Sequence, residues 1–224
     1  QGWISVKPAP FSYERPSTVD EAIDALATSD GDVKLLAGGQ SLVPMMNTRL
    51  AAPDALVDIN GIEGLDYVEE SDGAIAIGAL TRQSAAEASD LIAEHVPLVA
   101  EALGYVGHQT IRHRGTVCGN LAHSDPTSEL PAVALALGAE FAIRGPDGER
   151  TVPADEFFQG FMTTAIGPDE LLTEVRFPIQ PEGQRWAFEE MAPRQGDYAL
   201  VGVAATLDLD DFMDLKQNFG ATAA

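Results

Sequence analysis

The chain has 224 residues and a mass of 23.7 kDa, and its 13 basic against 35 acidic residues give a formal net charge of -22. Hydrophobic residues at 45% and charged residues at 21% are ordinary for a globular protein, so the chain can bury a core as one large domain or two small ones, and disorder as the main state is excluded. So acidic a surface repels phosphate backbones and anionic lipid, which makes nucleic acid and membrane surface poor partners; its simplest consequence is solubility.

In chain order, Ser17-Thr18-Val19-Asp20-Glu21 opens a helix with a capping box, Thr18 capping and Glu21 reaching back, and Ala22, Ile23, Leu26 and Ala27 follow at helical spacing. Val33 to Ala37 reads as a short strand running into Gly38-Gly39. A helix from near Ser41 to about Leu50 accepts Pro44 only in its first turn. Leu56 to Ile59 reads as a strand. Tyr67 to Glu70 and Ala74 to Ala79 form a hairpin through Asp72-Gly73, and Thr81 caps a helix through Ala88. Pro97 to Tyr105 is helical.

Gly107 to Asp125 reads as a long polar, His-rich loop of the kind kept for function. Thr127 to Leu137 is an apolar helix capped by Ser124 or Asp125. Phe141 to Arg144 and Arg150 to Val152 flank a turn at Pro146-Asp147-Gly148, and Leu171 to Phe177, Trp186 to Met191 and Leu200 to Leu207 read as strands before a last helix at Phe212 to Phe219. The lone Cys118 excludes an internal disulfide or an all-Cys metal site and suits a reducing compartment. No apolar run reaches the ~20 residues of a membrane helix, and Gln1 to Pro10 lacks a signal-peptide pattern, so a cytoplasmic location is expected.

Two segments carry chemistry. Ala37-Gly38-Gly39-Gln40-Ser41-Leu42 joins a strand end to a helix start, where glycines let successive N–H groups converge on an anionic oxygen; a plain turn is the alternative. Arg112-His113-Arg114-Gly115-Thr116-Val117-Cys118-Gly119-Asn120 is a second glycine-containing loop leading toward a helix. Closing on one ligand from two sides, the pair forms a cradle that fits a dinucleotide pyrophosphate.

These residues, with Lys7-Pro8-Ala9-Pro10-Phe11, Ile77-Gly78-Ala79, Asp125-Pro126, Gly167-Pro168-Asp169-Glu170-Leu171-Leu172 and Gly196-Asp197-Tyr198-Ala199, carry a resemblance. From Lys7 to about Leu207 the chain resembles the FAD-binding medium subunit of molybdenum hydroxylases, the group of carbon monoxide dehydrogenase and the flavin domain of xanthine dehydrogenase.

The resemblance implies an α+β, vanillyl-oxidase-type FAD-binding fold. Residues 1–60 and 61–177 would form two α/β subdomains, and residues 178–224 a partial C-terminal α+β domain, cut short. It implies that Ala37, Gly38, Gly39, Gln40, Ser41 and Leu42, with Thr116, Val117, Cys118, Gly119 and Asn120, hold the pyrophosphate and flavin edge of FAD. Glu129 would meet the ribose end, and Thr164 to Ile166 and Tyr198 would lie near the isoalloxazine ring. It further implies [2Fe-2S] clusters on a small subunit and molybdopterin on a large one, in an assembly of (αβγ)2 type, with this chain passing electrons to an external acceptor.

Cys118 stands where many relatives have glycine, and a thiol beside a flavin can oxidise; Gln40 stands where histidine is common. Two other functions are compatible with the same fold. One is a self-contained flavin oxidase tethered through His113 or Cys118, and the other is a flavin-free scaffold. His108, His113 and His123 read as structural or loop residues rather than metal ligands, His95 as a surface residue, and Trp3 and Trp186 as packing residues. Glu189-Glu190 reads as a solvent-facing strand edge.

Overall fold

The computed structural model describes residues 6–29 and 31–208; Trp3 and the helix expected at Phe212 to Phe219 lie outside them. The chain begins with β1 (Ser12–Glu14), α1 (Val19–Thr28), β2 (Val33–Leu36), α2 (Leu42–Asn47) and β3 (Ala55–Asp58). Both strand pairings are parallel and the order is β1-β3-β2, so β3 is central. That position explains its unbroken apolar run: Ala55, Leu56 and Val57 are all buried, as a strand covered on both faces requires. The capping box at α1 forms as the sequence predicts, with Thr18 Oγ1 accepting from Glu21 N–H at 3.1 Å and Ser17 N–H donating to Glu21 at 2.8 Å. Pro44 sits in the first turn of α2.

A second sheet follows, built from β4 (Val68–Ser71) and β5 (Ala74–Gly78) and, after an insertion of helices, from β6 (Glu140–Gly145), β7 (Gly148–Pro153) and β10 (Leu171–Pro178). It is antiparallel, in the order β4-β5-β10-β6-β7. The β4–β5 turn places Asp72 at φ 51° and Gly73 at φ 78°, the paired left-handed residues of a tight hairpin. The inserted helices are α3 (Gln83–Glu87), α4 (Asp90–His95), α5 (Pro97–Tyr105), α6 (Gln109–Arg112), α7 (Val117–His123) and α8 (Glu129–Leu137). α7 and α8 lie against β5 and β10, and Leu98, Leu103, Leu121, Leu130, Ile77, Phe141 and Phe177 make the core between the layers. A small β8 (Phe158–Gly160) and β9 (Thr163–Thr164) pair follows α9 (Ala154–Phe157), with the Phe157 and Phe141 rings stacked at 3.7 Å. β11 (Arg185–Met191) and β12 (Val201–Leu207) form a separate antiparallel hairpin, and Phe188 packs edge-on against Tyr105 of α5 at 5.1 Å.

Several expectations are corrected. Thr81 does not cap α3; it is 1% exposed, and its hydroxyl donates to Tyr67 O at 2.7 Å while accepting from Tyr67 N–H at 3.0 Å. α8 starts later than expected and follows Ser128; Ser124 is instead the left-handed cap that ends α7, at φ 50°. Residues 107–125 are not one long loop, since they hold α6 and α7. β1, α4 and α9 were not anticipated. β1 pairs with β3 although only its three residues are extended, and α4 is a single capped stretch whose Ile92 is its one fully buried side chain.

Candidate functional site: a cleft between two glycine loops

The loop after β2 and the loop into α7 meet in backbone contact. A Cβ on Gly38 would lie 2.4 Å from Arg114 O and 2.7 Å from Gly115 Cα. Only glycine permits that approach, because neither neighbour is a movable side-chain tip. Next to it Gly39 takes φ +70°, a left-handed conformation costly for other residues. Hydrogen bonds brace the contact from behind. Asn60 Nδ2 donates to Ala37 O at 2.8 Å, and Arg82 donates to Asn60 Oδ1 at 2.6 Å and to Arg114 O at 2.7 Å. Asp58 accepts from Asn60 N–H at 2.9 Å and from the Tyr13 hydroxyl, so the chain of contacts runs from β1 to the second loop. Asp58 is buried, yet these hydrogen bonds hold its carboxyl below the ordinary range.

Beyond this junction opens a cleft of ≈ 510 Å³, within the span of about 300–1,000 Å³ usual for bound cofactors. It is lined by Ala37, Gly38, Gly39, Gln40, Ser41 and Leu42, by Thr116, Cys118, Gly119 and Asn120, and by Glu129, Ile166 and Tyr198. Among the described residues the successive N–H groups from Gly38 to Leu42 meet no acceptor, and the Ser41 hydroxyl makes no capping bond. Unspent donors converging at a turn form a nest for an anionic oxygen. On the opposite wall, Gly119 N–H donates to Thr116 Oγ1 at 3.0 Å and Asn120 N–H to Thr116 O at 3.1 Å, while the Thr116 and Cys118 N–H groups meet no acceptor among the described residues. The start of α7 therefore supplies both shape and free donors. Gly119 matters for space, since a Cβ there would meet the capping Thr116 Oγ1 at 2.5 Å. Asn120 Oδ1 accepts from the Ser128 hydroxyl at 2.8 Å, tying the end of α7 to the start of α8. FAD fits these residues: the free donors suit its pyrophosphate, and the cleft is long enough to have walls from both glycine loops, α8 and the β11–β12 loop.

Two expected site residues are placed differently. Val117 is fully buried and does not border the cleft. Cys118 borders it but is 2% exposed, with Sγ directed at Ile77 O at 3.5 Å; burial pushes its pKa upward, so the thiol stays protonated and faces the core rather than a cofactor. His113 lies outside the cleft, with Nδ1 3.1 Å from Ser84 Oγ. Neither tether candidate therefore presents a reactive atom to the cleft. Of Thr164 to Ile166 only Ile166 borders it. Tyr198, 75% exposed, stands at its edge on the β11–β12 loop.

Glu190, expected on a solvent-facing edge, turns inward. Its Oε2 is buried without a partner among the described residues, and burial, with Glu129 nearby, perturbs its carboxyl, while Glu189 is exposed. Phe188, two residues earlier on the same strand face and 2% exposed, was the signal that could have located it. Arg82, Asn60 and Gln83 were also missed. Gln83 lines the cleft, is 3% exposed and leaves its Oε1 unpartnered under Gly115.

Residues 9–180 match the family described as "FAD binding domain in molybdopterin dehydrogenase". The chain is 43% identical over 206 residues to the alpha subunit of the 6-hydroxypseudooxynicotine dehydrogenase complex of Paenarthrobacter nicotinovorans, covering 92% of this chain and 70% of that one. It is 40% identical over 200 residues to the carbon monoxide dehydrogenase medium chain of Hydrogenophaga pseudoflava, covering 89% and 70%. Its structure superposes on carbon monoxide dehydrogenase from Hydrogenophaga pseudoflava with a TM-score of 0.87 over 89% of this chain and 70% of that chain. The chain belongs to this family: it is the FAD-binding medium subunit of a molybdenum hydroxylase, an oxidoreductase whose substrate is oxidised on another subunit. Among the described residues no helix is long and apolar enough to cross a membrane.

Proposed function

We propose that this chain is the electron-transfer subunit of its complex, taking electrons from [2Fe-2S] clusters on a small subunit and passing them to an external acceptor. The electrons originate at molybdopterin on a large subunit, in a cytoplasmic (αβγ)2-type assembly. Residues 1–60 and 61–177 act as the two cofactor-binding subdomains and residues 178–224 as part of a third; their separate sheets support that division.

Within the cleft, the N–H groups of Gly38 to Leu42 and the Ser41 hydroxyl hold the FAD pyrophosphate, and Gly119 leaves room for it. Glu129 accepts from a ribose hydroxyl, Ile166 packs on the isoalloxazine ring and Tyr198 shields its exposed edge. FAD supplies the redox chemistry; the chain binds it, orients it and excludes water from one side.

The observation that carries this assignment is the run of unspent N–H donors at the left-handed Gly39 turn. Gly39→Val tests it. The new side chain would need φ +70° and would crowd Leu36 Cδ1 and Val43 Cγ2, at 3.0 and 3.2 Å from Cβ alone. Strain of about 1–3 kcal/mol at the binding turn lowers FAD affinity by about 10- to 100-fold. Full FAD content in a folded Gly39→Val protein would refute the pyrophosphate assignment.

A further inference from the structure

Glu129 opens α8 on the cleft wall and is 7% exposed; Glu190 reaches it from β11 and leaves Oε2 buried without a donor. Among the described residues, the elements packed against α8 bring no ion-pairing cation to Glu129 or Glu190. β12 has no titratable side chain; α5 brings Tyr105, packed on Phe188, and Glu101, whose own Oε2 is buried and unpartnered among the described residues; α7 brings His123 and the buried Cys118; α9 brings Asp155 and Glu156. On β10, Glu174 and Arg176 are occupied with each other and with Tyr67. The hairpin itself carries Arg185, Glu189, Arg194 and Asp197, none in an ion pair with Glu129 or Glu190. A buried Glu129 beside a half-buried Glu190, with no ion-pairing cation among the described residues, resists ionisation of both carboxyls at once.

Granted that the cleft holds FAD, we infer that Glu129 and Glu190 share one proton, and that Glu190 is a positioning residue fastening the β11–β12 hairpin to the cleft wall so that cofactor retention is linked to pH. The hairpin loop carries Gly196 and Tyr198 to the cleft. It is also pinned where a Cβ on Gly196 would meet His108 Nδ1 at 2.5 Å. With one proton between them, the carboxyls form a hydrogen bond that closes this side of the cleft and leaves Glu129 oxygen lone pairs for a ribose hydroxyl. When that proton leaves, the two charges repel. The hairpin is pushed off α8, and a second negative charge lies on the wall that faces an anionic ligand. Burial, followed by the Glu190 charge and hydrogen bond, places the Glu129 pKa at about 7, so the change falls in an accessible range.

The test is a flavin-fluorescence titration of the full chain with FAD across pH, in wild type and Glu190→Gln. The wild-type Kd should rise above neutrality, approaching about tenfold per pH unit. Glu190→Gln, whose amide donates to Glu129 at any pH, should bind with a flat profile. Equal slopes in the two proteins, or a flat wild-type profile with FAD bound, would overturn the shared proton while leaving the FAD assignment intact. If the wild type takes up no FAD at any pH, the FAD assignment fails instead. The infrared C=O band of a protonated carboxyl then decides the pair: present at neutral pH and lost in Glu190→Gln if the proton is shared, absent from the wild type if it is not.

Discussion

Arg82 spans the junction on which the cleft depends. Its guanidinium holds the Arg114 carbonyl of one loop and, through Asn60, the Ala37 carbonyl of the other. Arg82→Met keeps the apolar stem and removes the donors, so it should cost about 2 kcal/mol, the usual scale for a hydrogen bond to a charged group, and weaken FAD retention as well. Denaturant unfolding and FAD titration measure both; unchanged values would mean that the backbone contact at Gly38 alone holds the loops. Cys118 supplies a second check. Buried and kept protonated, it should react with a thiol reagent only after denaturation, and fast native labelling would contradict its placement. The glycines were legible because a Gly-Gly pair at a strand end implies special backbone geometry. The partners of Arg82 were not, because Asn60 and Arg114 lie 22 and 32 residues away and nothing local signals such a bond. Cys118 was read as facing the ligand with the rest of its loop motif, whereas at the start of α7 it shares the buried helix face with Val117 and Leu121.

At the scale of elements, α7 is anchored by Thr116, whose Oγ1 accepts from Gly119 N–H at 3.0 Å. Thr116→Ala should destabilise by about 1 kcal/mol, the common cost of losing an N-cap, and free the Gly119 N–H; an unchanged melting temperature would show that packing of Val117 and Leu121 suffices. Strong local signals located most elements: the capping box of α1, the Asp72-Gly73 hairpin and the apolar run of β3 all formed where the residues predicted. Residues 107–125 resisted because α6 has 4 residues and α7 has 7, too short for a helical period to stand out, and because Gly115 and Gly119 read as loop residues. Thr81 looked like a cap because a hydroxyl preceded a helical stretch, but the hairpin backbone at Tyr67 claimed that hydroxyl instead. The candidate site was thus legible as two loops, while the wall from β11 was not, since it comes from a hairpin far along the chain.

Over the whole molecule, the net charge of -22 repels itself, and added salt should screen that repulsion and raise the melting temperature from its low-salt value. A melting temperature that falls with salt would point to ion pairs as the dominant electrostatic contribution. Glu129 gives the pH dependence its sign. Burial raises its pKa from 4.5 to about 7, so the folded state holds this proton more tightly than the unfolded chain does. The stability it contributes is fully present below the ordinary carboxyl value and is lost as pH rises through about 7, which Glu129→Gln should flatten in thermal melts.

The central claim is that the two glycine loops hold FAD in a subunit of a larger oxidoreductase. It is tested most directly by an absorbance spectrum of the natively purified complex, followed by denaturation and identification of the released flavin. The expected result is FAD, released without a covalent link, together with iron–sulfur absorbance and two further chains. An intact complex without flavin, or flavin that stays attached to the denatured chain, would contradict it.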